Sequence, residues 1–293
     1  MWRHLIIFVV VFSVNGQLID NQNGQAFTNK PFFNAKTVVP LKIKTIEGFY
    51  TYKKSGDPFK PSIDWFRYCF NQKGQIIEQL EVIQNGKQKD STRHQYAYHA
   101  NGKLSVHRYP AYGGAISEYY SYDSLSRLLS ISYYRDQFKD DLVDSSNAAL
   151  MRKETLVYSA KNSYDFTQLN QYELPFMDVS FNYNLDGYLL EKEQFFRMSQ
   201  QSQKEIFNYN EKGLLIEKSI LFNNLNTPSQ TWNYTYDQWG NLLEILYTKD
   251  KQVLSELQII YDYKTGYLGS IIYKDPKTNS LKILRFTKYT YYN

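Results

Sequence analysis

Residues 181–190 read FNYNLDGYLL and residues 207–216 read FNYNEKGLLI. Both stretches contain two aromatic residues two positions apart, an asparagine directly after them and a glycine three residues further on. Gly187 and Gly213 are 26 residues apart, and a fixed spacing of about 20 to 50 residues is typical of repeat proteins. The sequence therefore predicts a chain built from copies of one structural unit.

The same pattern recurs on both sides of these stretches. Aromatic residues stand six and four positions before a glycine in Tyr50/Tyr52/Gly56, Tyr68/Phe70/Gly74, Tyr96/Tyr98/Gly102, Phe181/Tyr183/Gly187, Phe207/Tyr209/Gly213 and Tyr234/Tyr236/Gly240. Tyr120 and Tyr122 fit the same frame, with Ser126 in the glycine position. The second residue after the glycine position is apolar and branched in Ile76, Leu104, Leu128, Leu189, Leu215, Leu242 and Leu268.

Each unit is predicted to be a β-hairpin. Aromatic residues two apart lie on one face of a strand, and an Asn or Asp after them can hydrogen-bond the following backbone to start a turn. Glycine accepts the positive φ that closes a short loop, and the apolar residue then begins the return strand. The residues expected to form these turns are Gly74, Gly102, Gly187, Gly213, Gly240, Asn184, Asn210 and Asp237.

The composition agrees with this interpretation, because 28 tyrosines and 18 phenylalanines favour strands. A single hairpin is marginally stable in water, whereas neighbouring hairpins can share aromatic pairs across their strands. We therefore expect an all-β fold in which serial antiparallel β-hairpins form an extended, twisted or coiled repeat sheet. The aromatic-rich segment 286–293 has no turn after it and suits a strand that closes the last edge.

The N-terminus has the features of a secretory signal peptide. Arg3 and His4 precede an apolar run at residues 5–12, and small residues near Gly16 suggest cleavage there. Residues 1–16 are therefore predicted to be removed, which places the mature protein outside the cell, in a periplasm or in the cell envelope. No later run approaches the roughly 20 apolar residues that a spanning helix needs, so no transmembrane anchor is expected.

The rest of the chain divides by the presence of the repeat. Residues 17–45 lack it and are interpreted as a leader and first strand, and residues 46–293 as the repeat domain. The repeat is interrupted at 136–154, which we interpret as an insertion. Within this insertion, a short helix beginning near Ser145 or Ser146 is expected, because serine is a favoured helix N-cap.

Charge and cysteine content exclude two broad classes. The net charge is +5, and the basic residues are scattered without a Lys/Arg block, so no nucleic-acid partner is expected. Cys69 is the single cysteine, which rules out an internal disulfide and hence a small disulfide-stabilised scaffold.

The repeat resembles the Tyr-Asp repeat of RHS proteins, whose motif is roughly aromatic-x-Tyr-Asp-x-x-Gly-x-Leu. Residues 234–242, YTYDQWGNL, match it at every position, and residues 120–128, YSYDSLSRL, lack only the glycine. The resemblance covers about residues 49–293. It implies a long β-sheet that encloses a toxin in large family members and serves in others as a cell-surface or ligand-binding region.

The core motif that closes such shells has the signature Asp-Pro-x-Gly-Leu, whereas residues 275–278 read DPKT. The resemblance is therefore to a short, stand-alone secreted member without a toxin or that core motif. Residues 101–104, NGKL, also suggest a MORN-like repeat, but the Tyr-Asp frame fits better.

Two groups of residues could be drawn as metal sites. His94, His99 and His107 lack the cysteine or acidic partners that complete such a site, and we expect them at the surface. The second group is an acidic run that comprises Asp136, Asp140, Asp141 and Asp144. It lacks the alternation and the glycine of an EF-hand loop, so we expect a solvated, charged surface there. We expect no metal and no cofactor.

The sequence contains no Gly-x-Ser-x-Gly elbow, phosphate loop or dinucleotide fingerprint. The glutamates of the repeat strands show no distinctive pair for sugar hydrolysis; they include Glu191, Glu193, Glu217 and Glu244. A non-enzymatic protein is therefore the first expectation.

Exposed aromatic residues near the turns are the candidate ligand contacts. Trp239 lies inside a turn, and Tyr188 and Tyr267 directly follow turn glycines, where their rings could stack on sugars or on a partner surface. The favoured function is a β-repeat scaffold or binding protein of the cell envelope or exterior, with a protein or carbohydrate ligand. The alternatives are an accessory or immunity-type partner of a secreted toxin system, and a polysaccharide-acting hydrolase.

Overall fold

The computed structural model describes residues 17–86, 88–139, 142–160, 163–223, 225 and 227–293. The signal peptide predicted at 1–16 lies outside the described residues, as do Asp140 and Asp141. Within the described ranges the chain forms a 3₁₀ turn at Gln22–Gly24, a one-turn helix α1 at Ala35–Val38 and eighteen strands. The strands are β1 (Ile43–Lys53), β2 (Lys60–Phe70), β3 (Ile76–Asn85), β4 (Gln88–Tyr98), β5 (Leu104–Ala111), β6 (Gly114–Tyr122), β7 (Leu128–Lys139), β8 (Leu142–Tyr158), β9 (Phe166–Leu169), β10 (Pro175–Tyr183), β11 (Leu189–Phe196), β12 (Gln201–Tyr209), β13 (Leu215–Phe222), β14 (Gln230–Tyr236), β15 (Leu242–Lys249), β16 (Gln252–Tyr261), β17 (Leu268–Asp275) and β18 (Ser280–Tyr291).

Consecutive strands pair antiparallel along the whole described chain, and β18 also pairs antiparallel with β1, for example at Phe49 opposite Arg285. The sheet is therefore a closed barrel of successive hairpins. The all-β prediction is confirmed, but the expected extended or coiled sheet is wrong. The twist of the strands curves the sheet, and pairing β18 with β1 satisfies the backbone groups that two free edges would leave unpaired.

The loops that contain the repeat's Asn or Asp lie together at one end of the barrel, which we call the Asx end. In one of them, Asn210 Oδ1 accepts hydrogen bonds from the backbone N–H of Lys212 and of Leu214, both at 3.0 Å. Gly213 has φ +74°, a conformation that an L side chain rarely adopts. Loops of the same kind span 71–75, 123–127, 184–188 and 237–241.

Adjacent hairpins are joined by the hydroxyl of the repeat's second aromatic residue. Tyr209 donates this hydroxyl to the carbonyl oxygen of Leu189, at 2.9 Å. Leu189 is the apolar residue that follows the turn of the preceding hairpin. The same bond joins Tyr98 to Ile76, Tyr122 to Leu104, Tyr158 to Leu128, Tyr236 to Leu215, Tyr261 to Leu242 and Tyr289 to Leu268.

The interior of the Asx end is filled by residues 17–42, which we call the N-terminal plug. Phe33 packs edge-on against the inward rings of Phe70, at 4.9 Å, and Tyr68, at 5.0 Å between centroids. Leu18 and Ile19 of the plug are almost fully buried in the same core. Part of the segment interpreted as a leader therefore supplies the apolar core of this end of the barrel.

The helix expected near Ser145 or Ser146 is wrong, because β8 runs through both positions and pairs with β7 as far as Lys139 opposite Leu142. A helix of one or two turns is marginal on its own. The extended β7 instead offers the backbone of this segment a complete ladder of hydrogen-bond partners.

Candidate functional site

Between the plug and the end of the barrel opposite the Asx end, a region that we describe as below the plug, inward-facing residues of the strands include charged and hydrogen-bonding groups. Glu205 on β12 forms ion pairs with Lys192 on β11, at 2.9 Å, and with Lys218 on β13, at 2.7 Å between nitrogen and oxygen. Burial alone would raise the pKa of the Glu205 carboxyl, but the two lysines outweigh it and lower the pKa. The carboxylate is therefore held ionised on the inner wall.

A second polar cluster occupies the wall formed by β4, β5 and β6. His94 Nδ1 lies 3.0 Å from His107 Nε2, and His107 Nδ1 lies 3.3 Å from a carboxylate oxygen of Glu118. The ring of Tyr96 stacks on His107 at 4.8 Å. Burial is the largest cause that lowers the pKa of His94, followed by the neighbouring His107. The cluster is a hydrogen-bonded row along the wall.

The expectation that the histidines are surface residues is wrong for His94 and His107, which face the interior. His107 stands directly opposite Tyr96 in the strand register, and opposite residues share a face of the sheet. Side chains alternate between the two faces of a strand, so the inward position of these histidines could have been predicted from their spacing to the neighbouring inward residues. His99 lies in the loop 99–103, where its Nε2 is 3.1 Å from the carbonyl oxygen of Tyr120.

Asp136, expected in a solvated acidic run, is fully buried. Its Oδ2 accepts hydrogen bonds from Arg108 Nε, at 2.9 Å, and from the hydroxyl of Ser117. A buried carboxylate requires such partners, so the solvated interpretation is wrong at this position. Among the described residues, no group of three or more His, Cys, Asp and Glu side chains is arranged to hold a metal ion.

Lys30, on the plug, is close enough to both walls for their charges to act on its ammonium group. Burial is the largest cause that lowers its pKa, followed by the charges of Lys192 and Lys218; Glu205 and Glu118 act in the opposite direction. Its surface is nevertheless solvent-accessible. Both properties fit a side chain in a water-accessible lumen surrounded by protein.

A cavity of about 290 Å³ lies between the plug and the inner wall, and we call it the lumenal pocket. Lys282 Nζ forms an ion pair with Glu81 at 3.1 Å and lies 4.4 Å from the centroid of the Tyr50 ring. The pocket is lined by Phe27, Thr28, Asn29, Phe32, Tyr50, Tyr68, Gln79, Glu81, Tyr273, Lys282 and Leu284. It combines tyrosine rings with an amide, a carboxylate and an ammonium group.

The aromatic residues predicted as ligand contacts lie at the Asx end, on three different loops. Trp239 is 59% exposed, Tyr188 packs on Tyr209 at 5.0 Å and Tyr267 packs on Tyr289 at 4.7 Å. Tyr188 also lines a second cavity of about 370 Å³ between the plug and the loops. Burial and Tyr291 raise the pKa of Tyr267 to about 12. The structure does not bring the three rings together, and their role as ligand contacts stays a prediction.

Within the described part of the chain, no helix is long and apolar enough to cross a membrane. No protein-family model matches the sequence, and no curated protein matches it. The resemblance to the RHS repeat therefore rests on the sequence motif.

Several solved structures are distantly similar. The TcdB2-TccC3-Cdc42 structure shares 13% identity with a TM-score of 0.34 over 78% of this chain, which spans only 12% of that chain. A porin-like protein from Bacteroides uniformis shares 10% identity with a TM-score of 0.39, over 84% of this chain and 97% of that one. The LolA superfamily protein NE2245 from Nitrosomonas europaea shares 10% identity with a TM-score of 0.21, over 88% of this chain and 94% of that one.

Proposed function

We propose that the protein is a non-enzymatic binding protein that holds a saccharide in the lumenal pocket. The observation that carries the proposal is the pairing of tyrosine rings, at Tyr50, Tyr68 and Tyr273, with the polar side chains of Gln79 and Glu81 in one cavity. Sugar rings have apolar faces that stack on aromatic rings, and their hydroxyl groups pair with carboxylate and amide groups. Pockets for small ligands combine apolar walls and a few polar groups in this way.

The size of the pocket limits the ligand. Its volume of about 290 Å³ lies just below the range of about 300–1,000 Å³ for small-molecule sites. A single sugar unit or the end of a longer chain is the occupant that this volume favours.

The residues around the pocket support binding rather than hydrolysis. Among the described residues that line it, Glu81 is the one carboxylate, and it is held by Lys282. Hydrolysis of a glycosidic bond generally uses two carboxyl groups on opposite sides of the bond. The polysaccharide hydrolase considered from the sequence is therefore less well supported than a binding protein.

The outer face of the barrel carries charged side chains, as expected for a protein that is surrounded by water. Strand register places Arg67 and Glu78 on this face, where their side chains form an ion pair at 3.0 Å. Lys204 and Glu191 form another, at 3.5 Å. A lipid-facing barrel wall is instead an apolar band in which charges are destabilising. These charges support a protein surrounded by water, and the signal peptide predicted at residues 1–16 supports a compartment outside the cell or within the envelope.

A glycan array, followed by calorimetric titration with the saccharide that binds best, tests the proposal. We expect Gln79→Ala and Glu81→Gln to weaken binding at least tenfold, because the first removes an amide from the pocket and the second removes the charge of its carboxylate. Glu191→Gln on the outer face is the matched control and should bind like the parent protein. The proposal is overturned if the array shows no binding, or if the pocket variants bind as tightly as Glu191→Gln.

A further inference from the structure

We propose that the saccharide carries an anionic group, which binds in the lumen between Lys30, Lys192 and Lys218. We call these residues the lumenal lysine cluster. This inference rests on the proposed function, and it specifies the chemical class of the ligand as an acidic saccharide. Carboxylate and sulfate groups both meet the requirement, and the experiment below distinguishes them.

The cluster has a local excess of positive charge. Lys192 and Lys218 both pair with the single carboxylate of Glu205, and Lys30 adds a third ammonium group on the lumen side. An ammonium group has three N–H donors, so one bond to Glu205 leaves donors for a ligand. The side chains of Lys192 and Lys218 are 28% and 19% exposed, which leaves them accessible from the lumen.

The same cluster has an aromatic wall. Lys218 Nζ lies 5.6 Å from the ring centroid of Phe207 and 5.7 Å from that of Trp232. Trp232 stacks on Tyr247 with centroids 4.7 Å apart. These rings fix the ammonium group of Lys218 near the inner surface and offer apolar area next to it.

The plug connects the lysine cluster with the lumenal pocket. Thr28 and Asn29 line the pocket, and Lys30 follows directly in the chain, about 3.8 Å further along the backbone. At its other end the plug lies against the cluster, because a Cβ placed on Gly24 would come within 3.2 Å of the Lys218 side chain. The plug therefore leads from the pocket past Lys30 to Lys218, and a saccharide held by its end in the pocket would extend along the plug toward the cluster.

The electrostatics favour an anion at this place. Like charges repel more strongly near protein than in bulk water, and the lowered pKa of Lys30 reflects burial and the repulsion from Lys192 and Lys218. Lys282, the other lysine near the pocket, is already paired with Glu81. A ligand carboxylate or sulfate would offset this repulsion among the three lysines.

Calorimetric titration with matched acidic and neutral saccharides tests this inference. One pair is oligogalacturonate and its methyl ester, and the other is N-acetylgalactosamine 6-sulfate and N-acetylgalactosamine. We expect the acidic member of at least one pair to bind tenfold or more tightly than its neutral counterpart in low salt. The difference should shrink at high salt, because salt screens charges.

The double variant Lys30→Met/Lys218→Met should lower the affinity for the acidic member to that of the neutral one. Lys204→Met, on the outer face, is the matched control and should retain the preference. Equal binding of acidic and neutral members overturns the anion inference and leaves the proposed function standing.

A separate titration with inorganic sulfate distinguishes the two failures. If no saccharide binds but sulfate raises the unfolding temperature of the parent protein more than that of the double variant, the proposed function fails and the anion site stands. If sulfate acts equally on both proteins and no acidic preference is seen, the anion site is refuted.

Discussion

At the scale of single residues, each position of the repeat has a separate physical task. The Asx side chain closes the loop by accepting two backbone N–H bonds, as Asn210 does. The glycine supplies the positive φ, and the second tyrosine joins the hairpin to its predecessor, as Tyr209 does with Leu189. This hydroxyl bond accounts for tyrosine rather than phenylalanine at the seven places where it forms.

Replacing Gly213 by valine should destabilise the fold for two reasons. A branched side chain at φ +74° is strained by about 1–3 kcal/mol. Its Cβ would also overlap the hydroxyl of Tyr188, which would push that ring away from Tyr209. Gly187 has a similar φ of +84° with no atom within 4 Å of an added Cβ, so Gly187→Val measures strain alone. Denaturant unfolding should show the larger loss for Gly213→Val; equal losses would contradict the packing of Tyr188 on this turn.

Replacing Tyr209 by phenylalanine should cost about 1 kcal/mol of unfolding free energy, because the carbonyl of Leu189 loses its hydroxyl donor. Tyr183 holds the same position in the preceding repeat, and its hydroxyl donates to no such carbonyl in the described chain. Tyr183→Phe is therefore the control, with an expected change near zero. Equal urea midpoints for the two variants would refute the proposed link between hairpins.

At the scale of secondary-structure elements, the hairpins could be predicted because their rules are local. An Asx, a glycine three residues later and alternating aromatics lie within about ten residues of each other. The pairing of Phe49 with Arg285 joins segments from the two ends of the chain, and no local pattern records it. The same limit applies to the plug, whose adjacent aromatics Phe32 and Phe33 were the available signal for burial.

The candidate site was missed for a related reason. From the sequence alone, a charged residue on a strand is expected to face outward. Nothing in the local sequence therefore marks Glu205 as an inward residue. In a closed barrel, an inward residue below the plug faces a lumen and can be charged if it is paired, as Glu205 is with Lys192 and Lys218. Only closure of the sheet brings Lys30 of the plug to the same place.

The plug should contribute strongly to the stability of the barrel. Phe33 contacts Tyr68 and Phe70 and is only 9% exposed, so Phe33→Ala is expected to cost about 3 kcal/mol. Phe59, which is 49% exposed in a loop at the opposite end, provides the control variant Phe59→Ala, with an expected loss below about 1 kcal/mol. Thermal unfolding measures both, and similar losses would show that the plug is not a structural part of the barrel.

At the scale of the whole molecule, the number of strands explains why the interior is divided. A barrel of 16 to 18 strands is generally too wide for side chains to fill. Here the plug fills the Asx end with apolar groups such as Leu18 and Phe33, while paired charges line the space below. The interior therefore has a packed region for stability next to a polar region that can receive a ligand.

Glu205 makes the stability of this polar region depend on pH. Its pKa is lowered from 4.5 in the fold, so its stabilising effect is complete above the unfolded pKa and is lost as the pH falls through the folded pKa. Glu205→Gln leaves Lys192 and Lys218 without their carboxylate and should cost about 3 kcal/mol at pH 7. The difference between parent and variant should stay constant above about pH 5.5 and shrink below about pH 4.5, as the parent loses the same interaction.

Urea unfolding of both proteins at pH 7, 5, 4 and 3 measures this difference, and other titrating carboxylates largely cancel in it. Glu191→Gln on the outer face, whose partner Lys204 is at 3.5 Å, is the control. Because exposed ion pairs contribute about 0–1 kcal/mol, its difference from the parent should be small at every pH. A Glu205→Gln difference that persists unchanged to pH 3 would mean that the two lysines do not hold the carboxylate ionised, and the charge arrangement inferred for the lumen would then be wrong.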